Sequence, residues 1–267
     1  MNIGAIVTAL IIIGALGIFV GVFLGIGGIV FKVEVNEKEA AVLEKLPGNN
    51  CGGCGYPGCA GLAAAIANGE APVNQCPVGG EPVAKEIAAI MGTEVETKER
   101  MVAFVACKAH CEDVSLDYDY YGVEDCRMLS FVPNGGPKSC NYGCLGYGTC
   151  VSVCPFGAIK VDNGVAVVDR DKCKACGKCV EVCPKHLISL IPYNAQYAVA
   201  CSNKEKGAVT TKQCKVGCVG CSLCVKTCQN DAARVEDFNA SIDYEACVNC
   251  GACAEKCPKK VIDKLYP

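Results

Sequence analysis

The sequence contains no tryptophan and only two histidines, and aromatic residues make up 6% of its 267 positions. A chain this poor in large rings lacks the side chains that usually dominate a core, so something else must do much of the holding. It also lacks a strand–G-x-G-x-x-G–helix unit and a P-loop, which removes the recognisable dinucleotide and ATP sites. No paired acid and base stands out. His110 lies in a cysteine-containing stretch where it could tune a metal centre, and His186 reads as solvated.

Charge is missing from the start of the chain. Between Ile3 and Phe31 there is none of either sign, and no Lys or Arg precedes Lys32. A secretory signal would want a basic leader, a shorter apolar run and a small-residue cleavage site. About 20 apolar residues span a bilayer, so the run predicts a retained single transmembrane helix over residues 1–31. Gly17, Gly21 and Gly25 would line one face of that helix and let a partner helix approach.

Cysteine is what the chain has instead, 25 in all. Disulfide scaffolds are usually short secreted chains without metal-ligand registers. Metal-bound thiolates need a reducing compartment, so the cysteine-rich part is expected on the cytoplasmic side of the membrane. The registers are strong. CVGCSLCVKTC (Cys218 to Cys228) and CVNCGACAEKCP (Cys247 to Pro258) each set three cysteines at intervals of three and a fourth after four more residues. That is the spacing of a two-cluster bacterial ferredoxin, in which the fourth cysteine of one run serves the other run's cluster. A zinc ribbon separates two C-x2-C knuckles and has no use for three cysteines in step. The pairing predicted is Cys218, Cys221 and Cys224 with Cys257, and Cys247, Cys250 and Cys253 with Cys228.

An internal repeat precedes this module. CNYGCLGYGTCVSVCP (Cys140 to Pro155) superposes on Cys214 to Cys228, with Tyr147 where the second copy has Cys221. Tyrosine is a poor ligand, so Cys140 is taken as the substitute. The sets predicted are Cys140, Cys144, Cys150 with Cys183, and Cys173, Cys176, Cys179 with Cys154. Asn163–Gly164 between two alternating segments predicts a hairpin. Upstream, LPGNNCGGCGYPGC and QCP offer a self-contained set, Cys51, Cys54, Cys59 and Cys76. Cys107, Cys111, Cys126, Cys201 and Cys214 are left over. A sixth set is expected from Cys107, Cys111 and Cys126 with Cys201 or Cys214. The cofactors predicted are thus [4Fe-4S] clusters, five with complete sets and a sixth from these remaining thiols.

The reading is an α+β chain: anchor 1–31, a small mostly helical 4Fe-4S domain 32–92, a cysteine-containing connecting segment 93–137, and ferredoxin-like (2x[4Fe-4S]) modules at 138–198 and 199–267. Residues 32–137 carry 8 Lys+Arg against 16 Asp+Glu, and residues 138–267 carry 17 against 12. The lysines of the second half (Lys172, Lys174, Lys178, Lys204, Lys206, Lys212, Lys215, Lys256, Lys259 and Lys260) suit docking of an acidic electron donor. Nothing points to nucleic acid. A row of one-electron sites makes an electron-transfer protein; a cluster scaffold or carrier would instead favour incompletely ligated clusters.

The order anchor, LPGNNCGGCGYPGC…QCP, CNYGCLGYGTCVSVCPFGAI, KCKACGKCVEVCP and VGCVGCSLC closely resembles the B subunit of the Rnf complex over essentially the whole chain. That family is the ion-translocating ferredoxin:NAD oxidoreductase of bacterial membranes. The resemblance implies an electron-transfer subunit of a translocase, taking electrons from reduced ferredoxin. It would pass them to sister subunits that carry flavins, a membrane iron–sulfur centre, the NAD site and the ion path. A relay subunit of a hydrogenase or carbon monoxide dehydrogenase complex is the alternative.

Overall fold

The computed structural model describes residues 3–30, 36–95 and 99–265, with side chains of the first segment described at 4 and 11–26. Helix α1 occupies Ile3–Val30. Among the described residues no helix is long and apolar enough to cross a membrane. This corrects the expected transmembrane anchor at 1–31 and the single-pass placement in a cytoplasmic membrane that rested on it. Neither carries over as a structural finding.

Three helices build the next unit: α2 (Glu37–Lys45), α3 (Cys59–Ala67) and α4 (Gly80–Met91). Asn36 caps α2 by accepting the Lys38 N–H at 3.1 Å, which satisfies one of the donors that a helix start leaves free. Gly92 ends α4 in the left-handed conformation, φ 70°, where glycine has no Cβ penalty. Val42, Leu62, Ile66 and Ile87 are buried together at the centre, with Cys54, Cys59 and Cys76 packed against them.

The rest of the described chain is two copies of one plan. The first copy contains β1 (Met101–Val105), α5 (Thr149–Ser152), β2 (Ile159–Asp162), β3 (Val165–Val168), α6 (Lys178–Val182) and β4 (Ile188–Pro192). The second contains β5 (Tyr197–Val199), α7 (Gly207–Gln213), α8 (Leu223–Thr227), β6 (Ala233–Glu236), β7 (Asn239–Ile242), α9 (Ala252–Glu255) and β8 (Ile262–Lys264). Each has one hairpin (β2–β3, β6–β7) and one antiparallel pair of distant strands (β1–β4, β5–β8). The predicted turn forms at Asn163 and Gly164, φ 43° and 77°, the positive-φ pair that a two-residue hairpin requires.

Two-stranded pairs of this size are marginal alone, and the cysteines themselves supply much of the buried surface between them. Cys150, Cys173 and Cys179 lie in the first core with Val102, Ile159, Leu187 and Ile191; Cys218 and Cys224 lie in the second with Val261 and Ile262. Strand β1, from the expected connecting segment, sits in a sheet with the first module. Strand β5 straddles the expected boundary at 198/199 and pairs into the second. Residues 113–115 lace the copies together: Val114 bridges Cys214, and the Lys215 and Ser115 N–H groups donate to the Asp113 and Gln213 carbonyls at 2.8 and 3.0 Å.

Candidate iron–sulfur centres

Four loops share one backbone signature. In each, the residues just before and just after the middle position of the run take positive φ: Gly146 and Gly148, Ala175 and Gly177, Gly220 and Ser222, Asn249 and Gly251. L-residues avoid this region, so non-glycine residues there mark a path the fold demands. The path wraps the backbone around a centre and turns the flanking side chains into it. In three loops the middle residue is Cys176, Cys221 or Cys250; in the first it is Tyr147. The loop around Tyr147 therefore follows the same path with tyrosine in place of the middle cysteine.

The second module places its thiols as the crosswise reading requires. One cavity is lined by Cys218, Cys221, Cys224 and Cys257, and another by Cys228, Cys247, Cys250 and Cys253. Each Cys-Pro turn returns a backbone N–H to its own sulfur: Ala158 to Cys154, Leu187 to Cys183 and Val261 to Cys257, all at 3.4 Å. Such donors favour a thiolate. At Cys228 desolvation works the other way, yet N–H groups of Asn230, Ala233 and Ala232 take its thiol below the usual value.

The N-terminal set also comes together. Cys51 and Cys59 both act on Cys76, whose thiol is raised chiefly by burial, and Gly79 N–H points at the Cys76 sulfur at 3.4 Å. The Asn50 side chain accepts the Cys59 N–H at 2.8 Å, and the Gln75 amide donates to the Cys54 carbonyl at 3.1 Å. This unit meets the first ferredoxin module at Cys51 and Cys176, which lie within electrostatic reach of each other. Cys173, Cys176 and Cys154 surround Cys179 and, with burial first, push its thiol up to about 11.

The first module's other cavity is lined differently from the set expected from spacing. The cavity beside Cys144, Cys150 and Cys183 is closed by Cys126, and Cys140 does not line it. Burial first, and then Cys144, Cys126 and Cys183, push the Cys150 thiol up to about 12. Thr149 holds the Cys126 loop: its hydroxyl oxygen accepts the Cys126 N–H at 2.9 Å and its O–H donates to Asp125 at 3.0 Å. Cys140 instead lines a cavity between the modules with Cys107, Cys144, Cys201 and Cys214. Cys111 lies outside both, exposed, with its N–H donating to Asn163 O at 3.1 Å. The sequence held one pointer to Cys126, the empty slot at Tyr147, but no local spacing connects them.

Among the described residues no group of three or more His, Cys, Asp or Glu is disposed to hold a metal ion, so the number of clusters does not follow from ligand convergence. A cubane sets its four thiolates apart, since each binds a different iron, whereas one ion draws its ligands together. Cavities lined by four separated thiols fit the former donor set.

Several of the lysines expected to dock a partner are already engaged. Lys172 pairs with Asp169 and Lys204 with Asp237, each at 3.3 Å. Lys215 donates to Glu112 O at 2.6 Å, and Lys259 to Lys215 O at 3.0 Å. Lys174, Lys206, Lys212 and Lys256 are exposed.

The chain matches three family models: an Fe-S cluster family over residues 46–78, and 4Fe-4S dicluster domains over 133–184 and 217–262. It is 43% identical over 258 residues to the B subunit of the ion-translocating oxidoreductase complex of Methanosarcina acetivorans, covering 96% of this chain and 97% of that one. It is 44% identical over 252 residues to the B subunit of the Na(+)-translocating ferredoxin:NAD(+) oxidoreductase complex of Acetobacterium woodii (94% and 75%). With the proton-translocating counterpart of Clostridium ljungdahlii it shares 38% over 264 residues (97% and 93%).

Proposed function

The chain belongs to the B-subunit family of ion-translocating oxidoreductase (Rnf) complexes, and from that premise we propose that it relays electrons from reduced ferredoxin to other subunits of such a complex. It is part of an enzyme complex, and its own contribution is the holding of iron–sulfur clusters. When bound, each [4Fe-4S] cluster supplies a one-electron centre whose potential follows hydrogen bonding, burial and net charge.

Four ligand sets are assigned to this role: Cys51, Cys54, Cys59 and Cys76; Cys173, Cys176, Cys179 and Cys154; Cys218, Cys221, Cys224 and Cys257; Cys247, Cys250, Cys253 and Cys228. The observation that carries the reading is the crosswise lining of the two second-module cavities, where each run sends its fourth cysteine to the other. The residues do three things there. The left-handed positions bend each loop around its centre, the N–H groups aimed at sulfur favour the thiolate, and apolar neighbours such as Val235, Ala240 and Val261 keep water away.

Anaerobically isolated chain tests this. It should contain iron and sulfide in equal amounts and be reduced by reduced ferredoxin at a rate limited by their encounter. A zinc-bearing protein, or one that dithionite reduces and ferredoxin does not, would overturn the reading.

A further inference from the structure

Two thiol groups remain outside those four sets, and their arrangement differs from what the spacing suggests. The cavity between the modules is built from two copies of one unit. In the first, Cys107 follows the end of β1 and Cys140 stands four residues before Cys144; in the second, Cys201 follows the end of β5 and Cys214 stands four residues before Cys218. The hydrogen bonding repeats as well. Cys144 N–H points at the Cys107 sulfur at 3.4 Å, and Cys218 N–H points at the Cys201 sulfur at 3.3 Å.

The two units face each other across one cavity, lined by Cys107, Cys140, Cys201 and Cys214 together. Polar groups reach over it. Asn203 of the second module points its amide at the Cys140 sulfur at 3.5 Å, and Ser202 donates to Tyr142 O at 2.9 Å. Cys140 and Cys214 are buried together with Ala109 and Val114.

We propose that Cys107, Cys140, Cys201 and Cys214 form one further [4Fe-4S] site joining the two ferredoxin modules, and that Cys126 completes the site of Cys144, Cys150 and Cys183. This rests on the iron–sulfur reading above and adds to it the ligands, the number and the order of the sites. Buried free thiols are common as small apolar residues. They do not, however, come as a two-fold set around a cavity with an N–H aimed at the sulfur of each strand-end member. Likewise the loop through Gly146 and Gly148 keeps its cluster path around Tyr147, and the thiol that reaches that cavity from elsewhere is Cys126. All cysteines except Cys111 are then used.

The six sets form an unbranched series in the fold. Cys51 lies within electrostatic reach of Cys176, Cys183 and Cys154 are the crosswise members of the first module's two sites, and Cys144 lines both the Cys126 cavity and the intermodule cavity. Cys201 meets Cys218, and Cys224 lies within reach of Cys253. The intermodule site is the link between the halves.

Paired alanine variants of the full chain, isolated anaerobically and read by iron and sulfide content and by EPR spin count, test the grouping. C140A with C201A should damage one site, the same one that either single variant damages, and so should C126A with C150A. If Cys140 belonged with Cys144, Cys150 and Cys183, each pair would damage two sites. Alkylation followed by mass spectrometry covers the case in which variants fail to fold. In the native holoprotein Cys111 should react, while Cys107, Cys126 and Cys201 should react only after the iron is chelated. Wild-type protein should hold about 24 iron atoms. A chain with about 20, and with Cys107 or Cys126 open to alkylation, would overturn this inference and leave the relay reading standing; a chain without iron would remove both.

Discussion

Gly53 lies against the backbone of Cys176: a Cβ built on the glycine would stand 2.8 Å from the Cys176 carbonyl oxygen and 2.9 Å from its Cα. The contact joins the helical N-terminal unit to the first ferredoxin module, and neither obstructing atom can move as a side-chain tip could. Overpacking of this kind typically costs about 1–3 kcal/mol. Gly53→Val is therefore expected to loosen the docking while leaving iron content unchanged. Hydrogen exchange near Cys51 and Cys176 should rise, and electron exchange between the N-terminal site and the rest should slow. Unaltered exchange protection in the variant would refute the role of this contact.

Lys138 is a buried cation beside the cysteines. Its ammonium group donates to Cys144 O at 2.7 Å and to Gly164 O at 2.8 Å, and its residue is 7% exposed. A fixed positive charge favours the reduced state of any neighbouring redox centre, since reduction adds a negative charge. Lys138→Met should lower the reduction potential of one or two sites, read by EPR-monitored titration. It should also cost about 1–3 kcal/mol of stability through the two carbonyls left without a donor. A potential that stays put would mean that the lysine acts on packing alone.

The hairpin at Asn163–Gly164 was legible in the sequence because it follows from residues next to one another. Spacing also carries the logic of the crosswise pairing, and the two second-module cavities are lined in that arrangement. The approach of Cys126 to the loop around Tyr147 depends on tertiary placement and Thr149, and no sequence interval encodes it. For Cys140, nearness to Cys144 in the sequence suggests the substitute ligand, while in the fold it lines a cavity with Cys107, Cys144, Cys201 and Cys214. The uncharged run from Ile3 to Phe31 is a signal of composition, and among the described residues no helix is long and apolar enough to cross a membrane.

Iron removal should unfold the ferredoxin modules. Their sheets are two-stranded pairs of three to five residues and their helices next to the cysteine runs are four or five residues long, below what is stable alone. Burial pushes Cys150 and Cys201 up to about 12, so without iron these thiols stay protonated and no iron–thiolate bond ties their loops together. Chelation under anaerobic conditions should abolish exchange protection across residues 138–265. Retained protection there would show that apolar packing suffices.

Lys174, Lys206, Lys212 and Lys256 are exposed, while Lys172 and Lys204 are held by Asp169 and Asp237. Opposite charges on a partner raise association rates in a salt-dependent way. Reversing the four exposed lysines to glutamate should slow reduction by ferredoxin and flatten its dependence on ionic strength, without changing reduction by dithionite. Reversing Lys172 and Lys204 should have less effect, because their carboxylate partners already offset them. Equal slowing by both variant sets would point to net charge rather than to a docking surface.

Tyr147 gives the sharpest test of how the first module completes its ligand set. It stands between Gly146 at φ 84° and Gly148 at φ 74°, the same place that Cys221 holds between Gly220 and Ser222 in the second module. Its ring packs edge-on against Tyr120 with centroids 5.9 Å apart, and Tyr120 belongs to the same segment as Cys126. The loop path needed by a middle ligand is already in place, so Tyr147→Cys should supply one from within the run. In a C126A background that substitution should restore the iron and the EPR signal lost with Cys126. It should do nothing for C201A, whose site lies between the modules. Restoration in neither background would mean that the Tyr147 loop binds no cluster, and restoration in both would mean that the two cavities do not hold separate sites.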